Sequence, residues 1–124
     1  MNYQTSLAEK AIQFSLQLYE YYQWLIAQKR DFVIPRQLLR SGTSIGANLH
    51  ESIYACSRAD FIAKLHISLK EASETEYWFI ILEKTGQLPA QFTMLKDQCS
   101  SLTRILIAAL KTAKKSKTKS TNQE

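Results

Sequence analysis

The chain has 124 residues, 45% of them hydrophobic and 22% charged, enough to bury roughly two thirds of its unfolded surface in one domain. Three glycines and two prolines leave few places to turn, which argues against many short strands, and no run approaches the roughly 18 consecutive apolar residues of a membrane span. The net charge of +5 is unevenly held: residues 111–124 carry five lysines and one acid, and the rest of the chain carries 11 basic and 10 acidic groups.

Met1-Asn2-Tyr3-Gln4 shows no charged stretch leading into an apolar one, so no secretory signal is expected. Cys56 and Cys99 have no metal-ligand spacing between them or near a histidine. Buried thiols in a reducing cytoplasm are the expectation.

Apolar spacing predicts helices at about 4–29, 35–56, 59–85 and 89–115. The first carries Leu7, Ala11, Phe14, Leu18, Tyr22 and Leu25 at steps of three and four. A second row, Ala8, Ile12, Tyr19 and Ile26, widens its apolar side. After a turn at Lys29–Ile34, Pro35 suits a first helical position, where a missing N–H costs nothing.

The second helix is expected to bury Leu38, Ile45, Leu49, Ile53 and Cys56. Gly42 and Gly46 lie inside that pattern, each costing about 1 kcal/mol relative to alanine, a cost that close approach of another helix would offset. Ser57 fits the N-cap of the third helix, with Asp60 placed favourably for the helix dipole. That helix has one apolar face at Phe61, Leu65, Leu69, Ala72 and Phe79. A second row, Ala63, Ile67, Trp78 and Ile81, lies nearly opposite, and a helix apolar on two sides needs two partners. Gly86 reads as its C-terminal cap.

The fourth helix repeats Phe92, Leu95, Cys99, Leu102, Leu106, Ala109 and Ala113 in alternating threes and fours, the 3.5-residue period of bundle seams. Beyond Ala113 the composition is polar and lysine-rich. The expected organisation is therefore an all-α, antiparallel up-down four-helix bundle over residues 1–113, followed by a short, basic, disordered tail at 114–124.

Catalytic chemistry finds no foothold. The glutamate–histidine spacing of di-iron bundles is missing, since Ala47 and Ala63 stand three residues before His50 and His66. No serine sits in Gly-x-Ser-x-Gly, and Ser41-Gly42-Thr43-Ser44-Ile45-Gly46 lacks the lysine of a phosphate loop. A non-enzymatic protein without cofactor or metal is expected. The carboxylates Glu71, Glu74 and Glu76, with Arg36, Arg40 and Asn48 as partners, read as a structural polar network, because a partly buried carboxylate must be paired or protonated.

Three segments together resemble a known family: Ser41–Glu51 (SGTSIGANLHE), Ser57–Leu65 (SRADFIAKL) and Glu71–Trp78 (EASETEYW). They are similar to the bacterial four-helix-bundle proteins of the 23S rRNA intervening-sequence family, over most of residues 5–110. That resemblance implies a bundle that associates as a ring, commonly a pentamer, with no established catalysis. Some members are encoded within large-subunit ribosomal RNA genes, and related bundles serve diversity-generating retroelements beside a reverse transcriptase. By resemblance, Asn48, Glu51, Asp60, Phe61, Glu74 and Glu76 are structural or interface residues. The lysine tail is not part of the pattern.

Two functions follow as expectations. The first is a ring-forming scaffold that binds nucleic acid, RNA above all, through phosphate contacts at Lys111, Lys114, Lys115, Lys117 and Lys119. The second is a protein-interaction adaptor such as a reverse-transcriptase partner. Arg40, Asn48, Glu51, Glu74 and Glu76 are expected to form the polar network. Leu16, Trp24, Ile67, Trp78 and Ile81 are expected at the interface between copies.

Overall fold

Between long apolar segments, the chain turns where a few residues capture backbone groups that a helix end leaves unpaired. The computed structural model describes the backbone of residues 3–123 and the side chains of residues 6–115. Its helices are α1 (Tyr3–Ala27), α2 (Val33–Ser52), α3 (Arg58–Lys84) and α4 (Met94–Gln123), with a 3-10 turn at Ala90–Phe92. Among the described residues there is no strand.

The first connection uses Lys29 at φ 56° and Asp31, whose Oδ1 accepts from Val33 N at 3.0 Å. Pro35 is the third residue of α2 rather than the first, still inside the turn whose N–H groups lack helical partners. The second connection starts earlier than periodicity suggests. Ser57 Oγ accepts from Asp60 N at 3.0 Å, and Asp60 Oδ2 accepts from Cys56 N at 3.1 Å. This reciprocal cap resembles a capping box and commits Cys56 to the turn. α2 therefore stops at Ser52, and Ile53 (47% exposed) and Cys56 are solvent-facing, contrary to the expected buried stripe and pair of buried thiols.

The third connection is a Schellman motif. Gly86, at φ 72°, donates to Glu83 O at 3.1 Å, and Gln87 N donates to Leu82 O at 2.8 Å. Pro89 then caps the 3-10 turn, so α4 begins five residues after the proline rather than at it.

Each pair of successive helices is antiparallel, as opposed numbering across the seams shows. Gly42 and Gly46 of α2 meet Leu18 and Ala11 of α1. Ser41 and Ile45 of α2 meet Thr75 and Ser68 of α3. Glu76 and Glu83 of α3 meet Thr103 and Lys96 of α4. α4 also packs on α1, closing an up-down four-helix bundle in which each helix touches its two neighbours.

The core follows most of the predicted stripes, with Phe61, Leu69 and Phe92 only partly buried and one exchange in α1. In α4, Leu95, Cys99, Leu102, Leu106, Ala109 and Ala113 are all buried, and Ala113 is the last buried side chain described. The α4 backbone continues to Gln123, through the segment whose composition suggested disorder. In α1 the fully buried tyrosine is Tyr21, not Tyr22, and its hydroxyl donates to Gln87 O at 2.6 Å. Its ring packs on Phe79 and Phe92 at 6.2 and 4.9 Å between centroids. Ile12 and Tyr19, from the expected second row of α1, are instead half exposed.

Gly42 and Gly46 remain inside α2 and let it approach α1. A Cβ on Gly42 would overlap Leu18 Cδ2, whereas one on Gly46 would sit 3.4 Å from Ala11 Cβ.

Candidate nucleic-acid interface and assembly surfaces

Three kinds of surface bear on function: polar contacts between α2, α3 and α4, exposed apolar side chains, and the cations of α4. The polar residues expected to form one network are divided among separate contacts. Arg40 on α2 reaches Glu71 Oε2 through Nη1 at 3.3 Å and Glu74 Oε2 through Nη2. Trp78 Nε1 donates to the same Glu74 oxygen at 3.0 Å. The indole hydrogen bond and the Arg40 guanidinium hold the Glu74 carboxyl below its usual pKa against the opposing effect of burial.

Glu51 pairs with Lys64 at 3.4 Å, and Glu76 Oε1 accepts from Thr103 Oγ1 at 3.0 Å. Asn48 donates to Ser44 O of its own helix at 2.8 Å. Only Arg40 and Glu74, of the five, are in contact through these bonds. Partly exposed ion pairs of this kind contribute about 0–1 kcal/mol each, so they fix register more than they stabilise.

The buried seam between α2 and α3 holds a second polar set that sequence reasoning missed. Ser68 Oγ donates across it to Ile45 O at 2.9 Å, and Thr75 Oγ1 hydrogen-bonds Ser41 Oγ at 2.8 Å. On the α4 side, the Cys99 thiol lies against Ala72 O at 3.6 Å. Burial, with a smaller contribution from Glu76, pushes its pKa up to about 12. Such a thiol is protonated at neutral pH and makes a poor nucleophile. Among the described residues, no group of three His, Cys, Asp or Glu side chains could hold a metal ion.

The expected interface residues fall into two sets. Leu16 and Ile67 are 58% and 41% exposed. Trp24, Trp78 and Ile81 are half-buried, and both tryptophans pack against the subunit's own core. α3 buries one stripe, Leu65, Ala72, Phe79 and Leu82, against its neighbours, while on the opposite row Ala63 and Ile67 are exposed and Trp78 and Ile81 half-buried. The more open apolar row is on α1, where Ile12, Leu16 and Tyr19 share one face. Ile12 and Leu16 border a groove of about 310 Å³ floored by the small residues Ala8, Gly46 and Ala47.

Lys111, Lys114 and Lys115 are all exposed on α4. The side chains of Lys117 and Lys119 lie outside the described residues. No acid occurs between residues 98 and 123, a stretch that holds five lysines and Arg104.

A family model described as 23S rRNA-intervening sequence protein matches residues 4–108. The chain belongs to this family. A solved structure from Bacteroides thetaiotaomicron VPI-5482, described as a protein of unknown function from the S23 ribosomal protein family, is 39% identical. The two superpose with a TM-score of 0.84, over 89% of this chain and 99% of that one. No curated protein matches the chain. The span shared with the 23S rRNA-intervening sequence proteins includes Arg104 and ends before Lys111, so the lysine cluster lies beyond it. No helix among the described residues is long and apolar enough to cross a membrane.

Proposed function

We propose that this protein is a non-catalytic, ring-forming helical scaffold that binds nucleic acid, RNA in particular, through phosphate contacts. The observation that carries this reading is the charge of α4: six cations and no acid between residues 98 and 123, beside an otherwise nearly neutral chain. Cations gathered this way release counterions from a phosphate backbone without reading bases. One chain offers few such contacts; several copies in a ring would pool them and gain by multivalency. The name of the 23S rRNA-intervening sequence family agrees with an RNA context.

Assembly is the second half of the proposal. The exposed row of Ile12, Leu16 and Tyr19 beside a shallow small-residue groove is the surface best suited to a second copy. The deciding experiment measures fluorescence-anisotropy binding of a labelled single-stranded RNA at low salt, with full-length protein and with protein ending at residue 110. Binding that weakens at least tenfold on truncation and falls steeply with salt supports the reading. Absent binding, or binding indifferent to the truncation, overturns it.

The adaptor reading draws on the same exposed apolar side chains, with Ile67, Tyr77 and Ile80 of α3 as additional contacts. It calls for capture of one defined protein, such as a reverse transcriptase, that survives nuclease treatment.

A further inference from the structure

The cations of α4 are not arranged as a loose cluster. At 3.6 residues per turn, Arg104, Lys111 and Lys115 fall within about 20° of a common line along the helix. That line is opposite the buried stripe of Leu95, Leu102, Leu106 and Ala113, so all three side chains are exposed and point away from the bundle. They are spaced about 10 Å and about 6 Å apart along the axis. No acid lies within ion-pair distance of Arg104, Lys111 or Lys115 among the described residues, whereas Arg40, Lys64 and Lys96 are all paired. The one acid of α4, Asp97, stands about two turns before Arg104 and marks where the line ends. Exposed Ile107 and Ala108 fill the interval between Arg104 and Lys111 without adding charge.

We infer that Arg104, Lys111 and Lys115 form one rigid, phosphate-binding edge on the outer face of α4, with Arg104 as an anchor within the folded bundle. This deepens the proposed function, and rests on it, by replacing a flexible lysine tail with a helical edge of fixed spacing. A tail binds a polyanion wherever its lysines happen to be. A helical edge binds only while its cations share a face. Arg104 adds a planar fork able to hold one phosphate through two hydrogen bonds, which lysine cannot do. Lys114, about 80° round the helix from Arg104, belongs to the flank toward α3 rather than to the edge.

The test uses the full chain and a labelled single-stranded RNA, with circular dichroism confirming that each variant is folded. Arg104→Ala should weaken binding at least about three- to tenfold and lower the slope of log affinity against log salt by about 0.7 for each subunit engaged, with Arg104→Lys recovering only part of the loss. Two alanines inserted after Ala113 turn Lys115 by about 200° and should weaken binding as Lys115→Ala does; four alanines turn it by about 40° and should largely spare it. If the wild type binds but Arg104→Ala is silent and the two insertions behave alike, the edge is wrong and a flexible lysine tail remains the binding device. If the wild type does not bind at all, the edge and the proposed function fall together.

Discussion

Gly42 and Gly46 look equivalent in the sequence, four residues apart on one helix, yet the structure gives them different tasks. A methyl on Gly42 would enter the space of Leu18 Cδ2, so this fully buried side chain would have to shift within the packed core. Gly42→Ala is expected to destabilise by about 1–3 kcal/mol, the overpacking cost exceeding the gain in helix propensity. At Gly46 the new methyl makes ordinary contact, so Gly46→Ala should be neutral or stabilising by up to about 1 kcal/mol. Thermal unfolding of the two variants side by side separates them.

The thiols separate in the same way. Cys56 is exposed and should react with a chromogenic disulfide reagent at pH 8, whereas Cys99 should react only on unfolding. Because folding raises the Cys99 pKa from 9.0 to about 12, its contribution to stability is intact below about pH 9 and declines as pH rises toward 12. Tyr21, whose pKa burial also raises, acts in the same direction. Chemical denaturation at pH 8 and pH 11 should show the loss, and Cys99→Ser should make its pH dependence shallower.

At the scale of elements, period alone told which helices exist and which face of α4 is buried, since every residue of its 3.5-residue repeat from Leu95 to Ala113 lies in the core. It failed where a turn competes with a period. Ile53 and Cys56 continue the spacing of α2, but Ser57 and Asp60 have already captured the backbone for α3. It also failed between Tyr21 and Tyr22, which are adjacent and equally apolar. The distant carbonyl of Gln87 decides between them, and no local pattern encodes it. The polar pairings were illegible for a similar reason: whether Glu76 meets Arg40 or Thr103 depends on the register of two separate seams. The buried α2–α3 bonds yield a test of that register. Thr75→Val removes the hydroxyl contact with Ser41 at nearly constant volume and should cost about 1 kcal/mol of stability in denaturant titration.

For the molecule as a whole, two features lie outside what one bundle needs in order to fold. The row Ile12, Leu16 and Tyr19 exposes apolar surface that an isolated subunit leaves in water. Leu16→Glu, at a position 58% exposed, should leave the fold intact and shift sedimentation at micromolar protein from an assembly to a single subunit. A wild type that already sediments as a single subunit would remove the ring. The second feature is the acid-free stretch from residue 98 to residue 123 of α4, whose six cations repel one another.

The most direct measurement joins the two: the slope of log affinity for single-stranded RNA against log salt, for the wild type and for Leu16→Glu. Each neutralised phosphate contributes about 0.7 to that slope, so the six cations that one chain carries between residues 98 and 123 can supply at most about 4. A wild-type slope above about 4 that drops below it in Leu16→Glu is the result expected of pooled subunits. A slope near zero, or one that dissociating the subunits leaves unchanged, would contradict it.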